Sequence, residues 1–582
     1  LDFLSGPDSA AGSTRNRRTA AGIERVYKCV DTCAGEFEAV TPYFYGTFGD
    51  ETEAVPSGRE AVMILGSGPN RIGQGIEFDC CCCHAAYALR EDGYEVVMVN
   101  SNPETVSTDY DTSDKLFFEP VVVEDVLDIG KATNAVGAIV SIGGQTPLSI
   151  AHGIEAGGIR ILGTSVASID RAEDRELFAT LVHKLGLKQP ANATVRGIED
   201  ALRVAGKIGY PILVRPSYVL GGRAMQVAYS ESELRLLAQE ALDASDGRPL
   251  LIDQYLDQAL EADVDALSDG RATAIAGVME HVEPAGIHSG DSAGSFPAYT
   301  FSPDIVERMK DATRKFAKEL EVCGLINVQF AVKGGEIYVI EVNPRASRTV
   351  PFLEKATGVK WAGAAARVMM GRTLADLKIT DGDPRGYFYI KEVVLPFNRF
   401  ENVDPVLSPE MKSTGEVMGI GLTFAEAYLK AQLAAGNRLP KRGGVLLTIT
   451  DRDKEPAVAL ARDLSSLGFD LFGTPGTSKF MSGQGVPVGA IGKIHEGSSE
   501  IIDRILRGDI SLVINTRDSR KAANDARRID RAALNHSVPV YSTLRAASAM
   551  TEALKIYCRS GAGEPVRLQK IGGHSPTFQR SE

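Results

Sequence analysis

The chain has 582 residues, enough for three to five domains at roughly 150 residues each. Apolar residues make up 44% and glycines number 59, which suits a loop-rich α/β enzyme, while a net charge of −13 argues against general nucleic-acid binding. No run of about 18 uncharged apolar residues predicts a membrane span, and eight cysteines are too few for a disulfide scaffold, so reduced thiols and a cytoplasmic setting are expected.

The chain opens on Leu1, and residues 5–20 are rich in Ser, Gly, Ala and Arg, a composition that predicts a loop or linker. Such a start reads as a fragment, a processed end or a subunit cut from something longer. A short mixed segment at 24–48 ends in aromatics and is too small to be a domain by itself; 52–59 reads as a linker. Strand and helix then alternate: a buried strand at 61–65, a glycine-rich turn at 66–75, a helix at 77–91, and strands at 95–99, 138–142 and 159–162. Short apolar strands with helical crossovers imply a parallel sheet. The consecutive cysteines Cys80 to Cys83 fall within that helix, where small soft side chains are expected to pack on the sheet.

Beyond residue 170 the pattern changes. A helix at 171–186 precedes strands at 210–216 and 224–229, a helix at 231–245 and a strand at 250–253. Strands near 262–267 and 273–283 and a helix at 304–321 lead to a hairpin of 326–332 and 336–342 that turns at Lys333-Gly-Gly335. Strands meeting through glycine turns predict a largely antiparallel α+β unit. From Gly443 the chain alternates again: strands at 445–449, 469–473, 486–491, 511–514 and 539–541, with helices at 455–467, 499–507, 519–535 and 544–557. That is the pattern of a doubly wound domain.

Two constellations carry chemistry. The turn at 66–75 has Gly66-x-Gly68 followed by Gly73, one residue longer than a dinucleotide fingerprint. Asn100-Ser101-Asn102 stands where a ribose-binding acid would be needed, so NAD is disfavoured, although the helix start still suits an anion. On the hairpin, Glu341 and Asn343 lie two apart on one strand and share a face, with Gln329 roughly opposite. A carboxylate with two amide oxygens is a hard site suited to Mg²⁺; the competing reading is a surface carboxylate with ordinary polar neighbours. Arg215, Arg223, Arg345 and Arg348 bring groups that match phosphate or carboxylate oxygens, and Gly221-Gly222 would let a loop backbone close over phosphates.

These residues also spell longer motifs. Gly68-Pro-Asn-Arg-Ile-Gly-Gln-Gly-Ile-Glu-Phe-Asp79, Asn102-Pro-Glu-Thr-Val-Ser-Thr-Asp-Tyr-Asp111, Pro216-Ser-Tyr-Val-Leu-Gly-Gly-Arg-Ala-Met225, Gly286-Ile-His-Ser-Gly-Asp-Ser292, Asn327-Val-Gln-Phe-Ala-Val332, Glu341-Val-Asn-Pro-Arg345 and Lys391-Glu-Val-Val-Leu-Pro-Phe397 resemble signatures of the carbamoyl-phosphate synthetase large subunit. The resemblance runs from about residue 26 to about 557, and it is to the second of that subunit's two ATP-grasp halves. It implies an α/β multidomain fold: the end of an oligomerisation domain and linker (1–53), a Rossmann-like pre-ATP-grasp domain (54–170), an ATP-grasp α+β domain (171–436) and a doubly wound, methylglyoxal-synthase-like allosteric domain (437–582).

The implied function is ATP-dependent phosphorylation of carbamate. In the family the first half makes carboxyphosphate, which ammonia turns into carbamate. By the resemblance Arg175, Arg215, Gln254, Leu256, Glu261, Gly286, Ile287, His288 and Ser289 surround ATP, with Leu256 lining the adenine pocket and Glu261 accepting from ribose hydroxyls. Gln329, Glu341 and Asn343 hold Mg²⁺ or Mn²⁺, K⁺ is a further cofactor, and Arg345 and Arg348 take the carbamate and the transferring phosphate. His288 invites assignment as a general base, but carbamate has no proton to lose, so a phosphate or loop contact is expected. Lys454, Thr474, Thr477, Lys493 and Asn515 match the site of a nucleotide monophosphate effector; Glu283, Asp291 and Glu392 match an ornithine site. Gln254 replaces a usual His, Arg517 and Ala526 replace hydroxyl residues, and Val540 and Ser542 replace Tyr and Thr. The implied partners are the carboxyphosphate-forming half, a small glutaminase subunit and further copies in an oligomer. Another ATP-grasp ligase and a non-catalytic regulatory fragment are the alternatives.

Overall fold

A computed structural model describes residues 13–37, 41–69, 75–216, 225–244, 249–397, 405, 407–516 and 520–571. The chain is an α/β multidomain protein, and its described residues form four sheets. The first has six strands in the order Arg25–Cys29, Tyr43–Phe48, Lys115–Phe117, Glu95–Val99, Ala61–Leu65, Ala135–Ile139. Only the outermost pair is antiparallel. Every residue of Ala61–Leu65 and Glu95–Val99 is buried, as expected where both faces of a parallel sheet are covered. The short mixed segment near the start thus supplies two strands to this sheet. The strand expected at 138–142 sits three residues earlier.

The helix Glu77–Glu91 has the bounds expected from sequence, and Cys81 and Cys82 join Val62, Ile64 and Met98 in its core. That core continues through Leu325, Phe352 and Trp361 into the next unit, so the helices Val350–Thr357 and Trp361–Met369 pack on Glu77–Glu91. The predicted helix at 171–186 is two, Val166–Glu173 and Arg175–Lys184. They part at Asp174, whose backbone is extended and whose carboxylate caps the second helix by accepting from the N–H groups of Glu176 and Leu177.

Two sheets then face the ATP-grasp expectation. A four-stranded sheet runs Asn192–Val195, Leu250–Gln254, Ile212–Pro216, Gln226–Ala228, all neighbours antiparallel. A seven-stranded antiparallel sheet runs Glu336–Asn343, Cys323–Lys333, Leu260–Asp269, Thr273–Pro284, Gly294–Phe296, Phe388–Val394, Gly415–Gly421. Its first hairpin reverses through Gly334 and Gly335, both at positive φ (57° and 80°), the geometry a two-residue turn demands. The last sheet is parallel, in the order Gly489–Ala490, Asp470–Gly473, Gly444–Thr448, Ile510–Asn515, Val540–Tyr541. Its core reaches the helix Phe424–Ala434 and Ile390 of the seven-stranded sheet, so the two units share apolar contacts.

Candidate active site

The hairpin register sets Gln329 directly across from Glu341 and Asn327 across from Asn343. All four therefore point to one side of the sheet. Asn343 donates to Glu341 Oε1 at 2.9 Å, and Arg345 donates to Asn343 Oδ1 at 3.1 Å. Two of the three expected metal donors and the first arginine are thus linked by hydrogen bonds, with Gln329 across the ladder from Glu341. Among the described residues no cluster of three His, Cys, Asp or Glu side chains is set to hold a metal. A set of one carboxylate and two amides fits a hard divalent ion that completes its shell with water and phosphate oxygens.

The polar face extends further than the sequence suggested. Asp263 lies opposite Gln329, and Asp265 opposite Asn327, on the next strand. Asn327 donates to Asp265 at 3.1 Å and to Asp263 at 3.4 Å. His281, one strand on, donates from Nε2 to Asp263 at 2.8 Å and has Glu261 3.6 Å from Nδ1. Ser347 donates to Asp265 at 2.6 Å, and Thr349 bonds its other oxygen. Burial pulls His281 down, but Asp263 and Glu261 outweigh it and hold the ring up at about 9, so it is cationic at neutral pH. Burial also pushes Asp263 up; hydrogen bonding and charge from His281 reverse this and leave it below the carboxylate range. Asp265 is raised to about 6 by burial and by Asp263. The period-two acids of Glu261-Ala-Asp263-Val-Asp265 were the available signal for this face.

Arg345 lies with its guanidinium 5.5 Å from the Phe78 ring, and its buried Nε has no hydrogen-bond partner. Burial lowers both Arg345 and Arg348; Glu341 and Glu173 act against this at Arg345, and Glu77 and Asp291 at Arg348. Arg348 donates to the Met411 sulfur at 2.6 Å. His288 is pushed down to about 3 by burial, then by Arg348 and Lys391. It is neutral at pH 7, and its Nδ1 accepts the Gly290 N–H at 2.9 Å, so the proton resides on Nε2. Lys391 donates to the Ser289 carbonyl at 3.0 Å, fixing the loop that holds Gly286, Ile287, His288 and Ser289. Gly286 has φ of 101°, and a Cβ there would lie 2.3 Å from the Tyr255 hydroxyl oxygen.

Arg175 and Arg215 meet on Asp253, at 3.3 and 2.9 Å. Gln254, the next residue, turns its Oε1 to the Ala191 N–H at 3.4 Å. Leu256 is buried with Ala259, Ala285 and Ala331, with Tyr338 packed alongside. Glu261 begins the polar face a few residues on. The chain crossing from the small sheet to the large one therefore lines up two arginines, an apolar wall and a carboxylate. Gly221-Gly222 and Arg223, most of the 216–225 motif and residues 70–74 of the glycine-rich turn lie outside the described residues.

The expected effector residues divide. Lys454 starts the helix Lys454–Ser466 and pairs with Asp451 at 2.5 Å. A Cβ on Gly476 would come within 3.4 Å of its amine, which places Lys454 against the turn of Thr474 and Thr477, whose hydroxyls lie 3.2 Å apart. Lys493 also acts on Asp451 electrostatically and lies 3.6 Å from Glu496. Asn515 is turned inward instead: it accepts from Thr448 and donates to Asp530 at 2.8 Å. Arg517 lies outside the described residues, and Ala526 is buried. Glu283 accepts from Ser292 and Ala293, Asp291 from the N–H groups of Lys412 and Ser413, and Glu392 from Gln432 and Val393. Glu283 and Glu392 are close enough to repel, whereas Asp291 is spent on backbone.

Comparison with known proteins bears on this geometry. Residues 58–171 match a family model described as the carbamoyl phosphate synthase preATP-grasp domain; 174–377 match the carbamoyl-phosphate synthase L chain, ATP binding domain; 456–542 match an MGS-like domain. A carbamoyl phosphate synthase large chain from Vibrio cholerae is 54% identical over 92% of this chain, and one from Myxococcus xanthus is 54% identical over 94%. This chain spans about half the length of the curated relatives it matches, 50% in both cases. Among solved structures, the biotin carboxylase domain of Hydrogenobacter thermophilus 2-oxoglutarate carboxylase, in complex with MgADP and bicarbonate, superposes with a TM-score of 0.52 at 18% identity. It covers 64% of this chain and 90% of that one; at this identity the likeness is one of fold.

Proposed function

Since the chain belongs to the carbamoyl phosphate synthase large-chain family, we propose that it phosphorylates carbamate with ATP, yielding carbamoyl phosphate and ADP as the second synthetic half of that enzyme. The observation that carries this reading is the register of Gln329 on Glu341 with Asn343 and Arg345 attached, inside the region matching the ATP-binding model. The fold likeness to biotin carboxylases gives no ground for a different ligase, and the intact donor set weighs against a merely regulatory fragment.

Gln329, Glu341 and Asn343 would hold Mg²⁺ or Mn²⁺, which neutralises phosphate charge when bound. Arg345 and Arg348 orient the two anions, and their burial keeps water from competing for the guanidinium groups. Arg175 and Arg215 receive nucleotide phosphates, Leu256 packs on the base, and Glu261 accepts from the ribose. His288 donates from Nε2 rather than acting as a base. Carbamate oxygen is already nucleophilic, so positioning and charge neutralisation suffice. A closed site protects carbamate, which decomposes in water.

The reading extends to the whole enzyme: bicarbonate, ammonia from glutamine and two ATP, in the cytoplasm, supplying pyrimidine and arginine biosynthesis. No helix among the described residues is long and apolar enough to cross a membrane. The partners would be the carboxyphosphate-forming half, a small glutaminase subunit and further copies in an oligomer. K⁺ would be an additional cofactor. Lys454, Thr474, Thr477 and Lys493 would bind the phosphate of a nucleotide monophosphate, and the repelling Glu283 and Glu392 would receive a cationic effector. The boundaries at 54, 171 and 437 belong to the same proposal.

Carbamoyl phosphate and MgADP supplied to the purified chain should yield ATP, and Glu341→Ala should reduce that yield by roughly a hundredfold or more. A folded preparation that makes no ATP overturns the reading. Activity that survives Glu341→Ala removes the metal assignment.

A further inference from the structure

The helix Glu77–Glu91 carries Cys80 and His84 one turn apart, so the two share a face. The Cys80 sulfur lies 3.8 Å from His84 Nε2. On the other side of the ring, Nδ1 hydrogen-bonds Glu354 Oε2, and the second oxygen of that buried carboxylate accepts the Ala362 N–H at 2.8 Å. The imidazole is therefore held between an anchored carboxylate and a thiol. Contact with Cys80, then with Glu354, outweighs burial and raises His84 to about 10, so the ring is cationic at neutral pH. Cys81, Cys82 and Cys83 are buried, and burial pushes all three thiols well up. Cys80 alone of the four is half-buried, and the His84 side chain beside it is 37% exposed. A helix-to-helix tie between His84 and Glu354 accounts for two of these residues. It does not account for a partly open sulfur on the ring's remaining nitrogen.

We propose that Cys80, served by His84 and with Glu354 orienting the ring, is a nucleophilic thiol that exchanges with small-molecule disulfides. The Cys80 sulfur, 3.8 Å from His84 Nε2, attacks one sulfur of the disulfide as its own S–H proton passes to solvent. The new S–S bond forms as the old one breaks, and the departing sulfur leaves with the electron pair and takes the proton from His84. Cys80 is oxidised to a mixed disulfide, one equivalent of small thiol is released, and no other oxidant is needed. The adduct stands two residues from Phe78, on which the Arg345 guanidinium rests.

The test treats the full chain with glutathione disulfide at neutral pH and follows each cysteine by peptide mass mapping. The mixed disulfide is expected on Cys80 about tenfold faster than on Cys33, a half-buried thiol beside Thr32, and it should be released by dithiothreitol. Cys80→Ser should remove it. His84→Asn should slow it to the rate at Cys33 while the thiols at 81–83 stay protected, which shows that the variant is folded. Equal rates at Cys80 and Cys33 overturn the proposal, and that comparison needs no variant. An undiminished rate in folded His84→Asn overturns it as well.

Discussion

His281 shows how much one side chain settles at this site. It is enclosed between Asp263 and Glu261, and its folded value of about 9 lies above the ordinary 6.5. The sign follows from linkage: the folded state binds the proton more tightly, so the stabilisation is complete below pH 6.5 and is lost as pH rises through 9. Thermal melts of the wild-type chain should therefore lose on the order of 2–3 kcal/mol across that interval. His281→Gln should start lower at pH 6 and show a flatter decline; an equally steep decline would place the titrating group elsewhere. The same residue marks how far the site was legible in sequence. Glu341, Asn343 and Gln329 were found because two lie on one strand and the third across a glycine turn. His281 comes from a strand whose pairing no local spacing reveals, whereas Asn327 stands two residues from Gln329 on the predicted hairpin and shares its face. Asp263 and Asp265 did show in the period-two acids around 261–265, but acids on a strand ordinarily face water. Asn515, expected at an effector position from its type, is bonded to Thr448 and Asp530, partners that no local spacing reveals.

Elements pack closely enough that single methyl groups decide their spacing. The helix Phe424–Ala434 rests on the strand Gly415–Gly421, and a Cβ on Gly419 would meet the Ala427 carbonyl oxygen at 2.1 Å and the Ala431 nitrogen at 2.5 Å. Both are backbone atoms that cannot swing aside. Gly419→Ala should cost about 2 kcal/mol or more in urea unfolding. Gly206, inside the helix Ile198–Ile208, has nothing within 4 Å, and Gly206→Ala should instead add about 0.5–1 kcal/mol. Opposite signs are required; a loss at Gly206 as well would show that open space around a helical glycine does not decide the sign. The same contrast explains which elements sequence predicted. Runs buried on both faces, such as Ala61–Leu65 and Glu95–Val99, are legible because every residue is apolar. The strand expected at 138–142 is Ala135–Ile139 because Val140 and Ile142 stay buried beyond the last ladder pairing, so apolarity overruns the strand. Gly294–Phe296 is too short to carry a pattern and is a strand only because its neighbours are, while the strand expected at 486–491 shrinks to Gly489–Ala490.

At the scale of the molecule, a polar chain ties the seven-stranded sheet to the last parallel sheet. Glu392 accepts from Gln432 at 2.5 Å, and Gln432 in turn accepts from the Tyr541 hydroxyl at 3.1 Å and from Asn437 at 2.7 Å. Nearby, Arg545 of the final helix pairs with the fully buried Glu280 and lies over the Tyr299 ring. A chain of this kind is stable only when every member is satisfied and no charge is stranded. Burial, then repulsion from Glu283, raises Glu392 to about 8, so at neutral pH the junction favours the protonated carboxyl. Here too the folded value exceeds the ordinary 4.5: stabilisation is complete below pH 4.5 and is lost as pH rises through 8. Glu392→Gln keeps the shape and removes the charge. Its stability should match the wild type near pH 5 and exceed it by pH 9, by a margin on the order of 2–3 kcal/mol. If the tie couples the two units, the wild type should also lose the coincidence of its near- and far-ultraviolet melting curves at pH 9, while Glu392→Gln keeps a single transition. Two curves that separate equally in both proteins would locate the alkaline weakness away from this junction.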